Sequence, residues 1–322
     1  RSYVIPKLSK LTWAMRMQSD KGNQVSLEDE QHLSGSFVGT LPQLLQFNAL
    51  EPGSHAAAIR EKAYGIWLTY SWVDYLRYVK HTSLGLIALG CRRGETVGLI
   101  TGNHPEWLFS EIGAQAAGCI TLNLFTAAVA EELSASLNRI KAAYVIVQDQ
   151  EQVDKLIASK VKLTHVKRVI YIDPTGMGGY QSDPWLLSFR DLLTLGERLD
   201  ISKPELFEQE IRRGNAEDTA LMIQTSGTTG LPKLAMLSHR NLTSIGESWI
   251  RAVSIQPEEN WISMSPPAWI VDQMWGLGVA LRGRMTMNFP ETPETVMEDF
   301  REIGPTRIIT ASRFWEELAS RI

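Results

Sequence analysis

The sequence predicts an α/β protein: two similar lobes of mostly parallel sheet flanked by helices. Three observations carry this. Short apolar runs alternate with helical stretches from Val97 to Ile172, the alternation resumes at Thr219, and a Gly- and Pro-rich loop with a polar stretch separates the two series. The 322 residues, 44% hydrophobic and 21% charged, are enough for a sizeable core in one large domain or two ordinary ones.

Residues 1–39 are mixed and polar, with a charged patch at Glu28–Glu30, and are expected to form an N-terminal arm. The first lobe is placed at 40–183. Val97–Ile100 reads as a buried strand. Asn103 is expected to cap the next helix, with Pro105 in its first turn and an end near Ala117. A strand at Cys119–Phe125, a helix at Val129–Lys141, a strand at Tyr144–Val147, a helix at Glu151–Val161 and a strand at Val166–Ile172 follow. The loop Asp173–Asp183 leads into an irregular-to-helical connecting segment, 184–218. The second lobe, 219–322, opens with strands at Thr219–Gln224 and Lys233–Leu237, and Ser238 suits the N-cap of a helix from His239. Trp261–Met264, Arg284–Phe289 and Arg307–Thr310 are its further strands. Val271–Leu281, Thr295–Ile303 and the stretch from Phe314 are its helices.

Charge and cysteine usage exclude several classes. A net charge of −4 leaves no basic excess, so no nucleic-acid partner is expected. Cys91 and Cys119 make neither a CxxC pair nor a disulfide framework, and with no signal peptide in view a cytoplasmic location is expected. The chain begins at Arg1, which leaves an upstream targeting segment open. The charge-free stretch Ile112–Ala130 holds Gln115, Thr121, Asn123 and Thr126. It divides into a helix end and a strand better than it makes a membrane span, which needs about 20 predominantly apolar residues.

The most informative segment is Thr225-Ser226-Gly227-Thr228-Thr229-Gly230-Leu231-Pro232-Lys233, which directly follows a strand. Its glycines let backbone N–H groups turn into a tight concave loop, and its hydroxyls add donors that rotate onto phosphate oxygens. Lys233 adds a compact positive charge. The set suits a polyphosphate. It is not the ordinary P-loop, which opens a helix at its lysine. Here Pro232 precedes Lys233 and Leu234–Leu237 reads as a strand, so the loop joins two strands.

Thr225 to Lys233 resembles the phosphate-loop motif of the adenylate-forming superfamily. Gly65–Trp72, Asn103–Trp107 and Asp149–Lys155 are similar to stretches of its long-chain acyl-CoA synthetases. Ser265–Gln273 sits where the family has a second motif, with Trp269 at its aromatic position and Asp272 at an acidic one. Pro305-Thr306 and Arg313–Glu316 resemble a further landmark. The likeness covers about 40–322 and is greatest to the bacterial long-chain and bubblegum-type branch. One departure is Leu234, where the family usually has Gly. The family's later Tyr-Gly-x-Thr-Glu motif, ribose-binding aspartate, hinge and C-terminal lysine are absent, so the fold is expected to be incomplete and the chain inactive alone in CoA ligation.

The resemblance implies an ATP-dependent fatty acid–CoA ligase using ATP, Mg²⁺ and coenzyme A. Lys233 and the backbone at Gly227, Thr228, Thr229 and Gly230 would hold the β and γ phosphates, with Ser226 or Thr225 helping to ligate Mg²⁺. Lys233 and Trp269 are the candidate catalytic residues; Trp269, Asp272 and Trp275 are candidates for contact with the acid. Trp275 suits core packing better than an acyl lining, and Asp272 equally suits a solvated helix start. His104 and His239 read as helix-start residues rather than catalysts. Peripheral membrane contact and a homodimer stay open. Two alternatives remain: an adenylating ligase for an aryl or amino acid, and a non-catalytic nucleotide-binding module.

Overall fold

Two sheets organise the chain in the computed structural model, which describes residues 37–180, 182–225, 233–310 and 312–320. The described elements fall in one unit, 38–322, and the expected arm lies almost wholly outside the described residues. The strands are β1 (Ala57–Ala63), β2 (Ile66–Ser71), β3 (Thr96–Ile100), β4 (Ile120–Asn123), β5 (Tyr144–Val147), β6 (Arg168–Tyr171), β7 (Leu186–Ser188), β8 (Thr219–Thr225), β9 (Lys233–Ser238), β10 (Asn260–Ile262) and β11 (Thr286–Phe289). A seven-stranded sheet has the order β7-β6-β5-β3-β4-β8-β9, and a four-stranded sheet the order β10-β11-β1-β2. Both are parallel except for the pairs β8–β9 and β1–β2.

The helices are α1 (Leu41–Leu50), α2 (Trp72–Ala88), α3 (Pro105–Ala116), α4 (Ala130–Arg139), α5 (Gln150–Ala158), α6 (Phe189–Ser202), α7 (Leu206–Arg212) and α8 (His239–Val253). Then come α9, in three segments Ile270–Asp272, Gln273–Ala280 and Leu281–Gly283 with the middle one wound as a π-helix, α10 (Val296–Ile303) and α11 (Ser312–Ser320). Among the described residues no helix is long and apolar enough to cross a membrane.

Sheet membership departs from chain order. β8 and β9, expected to open the second lobe, belong to the larger sheet, where β8 pairs with β4. The cause is burial: Ala220–Ile223 is an apolar run buried on both faces, which an interior parallel strand requires. Conversely β1 and β2 come from the segment given to the first lobe but complete the smaller sheet, β1 pairing with β11 and β2 with β1. The strand expected at Arg307–Thr310 reduces to one bridge between Trp261 and Arg307. There the backbone N–H groups of Thr306 and Arg307 both donate to the Asn260 carbonyl, and the Arg307 side chain pairs with Glu259, so no ladder extends.

Between 41 and 88 the structure adds two helices and a hairpin that the later alternation does not announce. Local chemistry does mark them. Thr40 with Gln43, and Ser71 with Asp74, form reciprocal capping boxes at the starts of α1 and α2. On one face of the larger sheet, Ile100, Leu122, Val145, Val147 and Val169 pack against Leu133 and Leu137 of α4 and Val153 and Leu156 of α5.

Helices α2 and α6 meet backbone to backbone. A Cβ placed on Gly196 would lie 1.8 Å from the His81 carbonyl oxygen, and one on Gly85 would lie 2.3 Å from that of Leu192. Backbone cannot yield as a flexible side chain can, so Gly196→Ala must push the helices apart. We expect a loss of roughly 1–3 kcal/mol, the range for overpacked interiors. Urea unfolding reads this as a lowered midpoint with unchanged slope; an unmoved midpoint would show that the two helices are not held this close.

Candidate functional site

The hairpin β8–β9 holds the motif as expected, between two strands. Thr225 pairs with Lys233 across its last rung, and the Thr225 hydroxyl donates to the Lys233 carbonyl at 3.4 Å. Both residues are exposed. The tip, Ser226, Gly227, Thr228, Thr229, Gly230, Leu231 and Pro232, lies outside the described residues. Its base is anchored. Gln224 donates from Nε2 to the Ser136 hydroxyl of α4 at 2.8 Å, and Leu234 packs against the apolar cluster beneath the sheet. Leu234, the departure from the family pattern, thus has a packing role at the loop exit.

Ligands of parallel α/β sheets collect at the carboxyl ends of the strands. Thr225 ends β8. Two strands away, beyond β4, β3 ends at Ile100 and runs into Thr101–His104, about 10 Å off by ordinary strand spacing. Here one sequence expectation fails. Asn103 does not cap α3; His104 occupies the N-cap and makes no side-chain capping bond. Instead the Asn103 amide donates to the Ser263 hydroxyl at 2.7 Å, the Ser265 carbonyl at 2.7 Å and the Asp272 carboxylate at 3.0 Å. Three acceptors converging on one amide outcompete a single capping bond. Asn103 therefore ties the end of β3 to the loop after β10, joining the two sheets.

Asp272 is the centre of this junction and is only 1% exposed, so it is not a solvated helix start. It accepts from Asn103 and, through a short bond, from the Ser263 hydroxyl. Burial pushes its pKa up to about 7, against the opposing pull of donors from Ser263, Ser265 and Asn103. The folded carboxyl thus keeps its proton far above the ordinary value of 3.8. Its contribution to stability is full below about pH 4 and is lost as pH rises through 7, a change on the order of 4 kcal/mol. Asp272→Asn removes the titration. The stability difference, variant minus wild type, should climb between pH 4 and 8 in chemical denaturation; a flat difference would exclude the buried acid.

The two tryptophans of this segment part company. Trp269, at the N-cap of α9, is 44% exposed, which rules out a purely core role. Trp275 is 4% exposed and packs its ring at 5.6 Å from Trp249 and 6.3 Å from Trp261. It is a core side chain beneath the segment rather than an exposed lining.

Sequence reasoning missed Glu111. This residue of α3 is fully buried and accepts four hydrogen bonds: from Trp107 Nε1 at 2.6 Å, Thr121 Oγ1 at 2.8 Å, Asn123 Nδ2 at 2.9 Å and Gln273 Nε2 at 3.1 Å. Burial raises its pKa, and the four donors oppose that. Trp107 and Glu111 lie four apart on one helix and could have been paired from sequence. Gln273, from the π-helical stretch, could not.

The histidines also separate. Burial lowers the pKa of His104, but the carboxylates of Glu61, Glu106 and Asp149 outweigh it and the net shift is upward. His239 sits at the far end of the hairpin, 4% exposed, with Nδ1 accepting from the Leu41 N–H at 3.2 Å. Burial drives its pKa down to about 4, so it is neutral at pH 7 with its proton on Nε2. Among the described residues no group of three or more His, Cys, Asp or Glu could hold a metal. Of the expected Mg²⁺ pair, only the Thr225 hydroxyl is described, and it is exposed; Ser226 is not.

Two α/β sheets, a strand–loop–strand with a basic exit and an aromatic–acidic segment at the sheet junction define the adenylate-forming class of enzyme fold. The chain belongs to the AMP-binding enzyme family, whose profile matches residues 46–321. It is 29% identical over 264 residues to the long-chain-fatty-acid–CoA ligase heimdall of Drosophila melanogaster, covering 80% of this chain and 38% of that protein. It is 27% identical to the long-chain-fatty-acid–CoA ligase ACSBG2 of Xenopus laevis, covering 95% of this chain and 41% of that one. The chain thus spans about two-fifths of the length of these relatives. Among solved structures, the anthranilate CoA ligase AuaEII in complex with anthranoyl-AMP superposes with a TM-score of 0.71 at 20% identity, over 85% of this chain and 50% of that one. ATP-bound MatB from Rhodopseudomonas palustris does so at 0.62 and 22%, over 81% and 48%.

Proposed function

We propose that this chain carries the ATP-gripping part of an AMP-forming ligase that joins a long-chain fatty acid to AMP and passes the acyl group to coenzyme A. The carrying observation is the β8–β9 hairpin, with Thr225 and Lys233 facing each other at the mouth of a hydroxyl- and glycine-rich tip. The names of the sequence relatives support the fatty acid as the substrate class.

Adenylation brings a carboxylate anion onto a triphosphate, and charge repulsion is the barrier. Positioning and positive potential therefore matter more than a general base. Lys233 supplies a charge on an exposed, rigidly paired strand end, so its head group is free to meet phosphate oxygens. The Thr225 and Ser226 hydroxyls would help hold Mg²⁺, which would neutralise part of the phosphate charge when bound. The half-exposed Trp269 would line the entrance for the adenylate and the acid. Trp275 would act from below as packing, and Asp272 would hold the segment to Asn103 rather than touch the acid.

Pyrophosphate exchange with a panel of palmitate, anthranilate, malonate and aspartate, run on the full-length polypeptide, tests this. Exchange led by palmitate is the expected result. Exchange led by one of the smaller acids would overturn the substrate class, and none from any acid would overturn adenylation.

A further inference from the structure

Two cysteines 28 positions apart meet before the amino ends of the central strands β3 and β4, the end of the larger sheet away from the hairpin tip. Cys91 and Cys119 are the only cysteines in the sequence. Their Sγ atoms stand 3.1 Å apart, both thiols free. This contact is built by the backbone. Each cysteine follows a glycine in the left-handed conformation, Gly90 at φ +86° and Gly118 at φ +78°. Each also closes the helix before it with the same bond: Cys91 N–H to the Leu86 carbonyl after α2, Cys119 N–H to the Ala114 carbonyl after α3, both at 2.9 Å. These are paired Schellman closures, which fix the residue after the glycine. The two loops are then joined by Gly94 N–H donating to the Gly118 carbonyl at 2.8 Å. Both Gly-Cys dipeptides thus occupy equivalent positions in successive helix–strand units and are presented to each other.

The pair is buried but reachable by small molecules. Cys91 is 7% and Cys119 2% exposed. Cys119 lines a cavity of about 240 Å³ together with Arg93, Gln115 and His239. Cys91 lines another of about 370 Å³ together with Arg92 and Ala117.

We infer that Cys91 and Cys119 are a modification site: a reversible intrachain disulfide formed by peroxide. The thiolate of Cys91, on the more exposed side, attacks one peroxide oxygen. The O–O bond breaks, Cys91 becomes a sulfenic acid and the other oxygen leaves as water. Cys119 then attacks the sulfenic sulfur, an S–S bond forms and a second water leaves. Two thiols are oxidised by two electrons in all, and one peroxide is reduced to two waters. The sulfurs must close by only about 1 Å, to the ordinary 2.05 Å bond. The first step is slow, because contact with Cys119 and burial keep the Cys91 thiol protonated. The second is fast, because the partner is already in place. A thiol reductant reverses the bond by exchange.

The test begins with the wild-type chain. The full chain is incubated with hydrogen peroxide in native buffer, then denatured, treated with a maleimide and weighed intact. The expected product is a monomer lighter by two hydrogens that takes no maleimide and regains two after dithiothreitol. Closing this loop should also raise Tm by on the order of 5 °C. Cys91→Ser and Cys119→Ser should each show neither the mass loss nor the Tm rise. Two maleimides on the peroxide-treated wild type, under conditions that fully oxidise a dithiol peptide, would overturn the inference. So would a disulfide found only between chains.

Discussion

Replacing Glu111 by alanine should cost about 2–6 kcal/mol of unfolding free energy, because two buried donors lose their acceptor at about 1–3 kcal/mol each. The carboxylate is the common acceptor for donors from α3, β4 and the π-helical part of α9. Thr121 and Gln273 keep second acceptors at the Ala220 and Pro267 carbonyls. Trp107 Nε1 and Asn123 Nδ2 would be left facing a cavity, and each orphaned donor costs about 1–3 kcal/mol. Glu111→Gln is the sharper probe. It keeps the volume but turns an NH₂ toward two donors, so it should still lose about half as much. Urea denaturation of the three proteins decides the matter: losses below 1 kcal/mol for both variants would mean that the four bonds do not form together.

Lys233→Ala should weaken MgATP binding by roughly 10- to 100-fold, the worth of one charge-assisted hydrogen bond to phosphate, about 1.5–3 kcal/mol. Stability should hardly change, because the side chain is exposed and its part in the β8–β9 ladder is made by its backbone. Titration calorimetry on the full-length polypeptide reads both enthalpy and Kd. A Kd within twofold of wild type would remove Lys233 from the phosphates and with it the main support for adenylation. Lys233→Arg should recover part of the loss, since charge returns but the compact head group does not.

Much of this was legible along the chain, for reasons that can be named. Tyr144–Val147 reads as a strand because four apolar residues lie between breaks, and the structure keeps those bounds. Ser238 caps α8 as expected, accepting from the Asn241 N–H, because an N-cap is decided within one turn. The hairpin was readable because Pro232 and the apolar run after Lys233 forbid a P-loop helix. Asn103 was misread for the converse reason. As a local residue it is a good cap, and its actual partners, Ser263 and Asp272, lie 160 and 169 positions away.

By itself, then, the sequence determined the alternation of strands and helices, the strand–loop–strand chemistry around Lys233 and the N-cap at Ser238, all settled by neighbours within a few residues. Only the tertiary structure decided which sheet each strand joins, that Asp272 is buried against Asn103, that Glu111 gathers four donors, and that Cys91 touches Cys119. Those outcomes depend on which distant surfaces are driven together to bury apolar area, and polar groups trapped there must take whatever partners the packing brings.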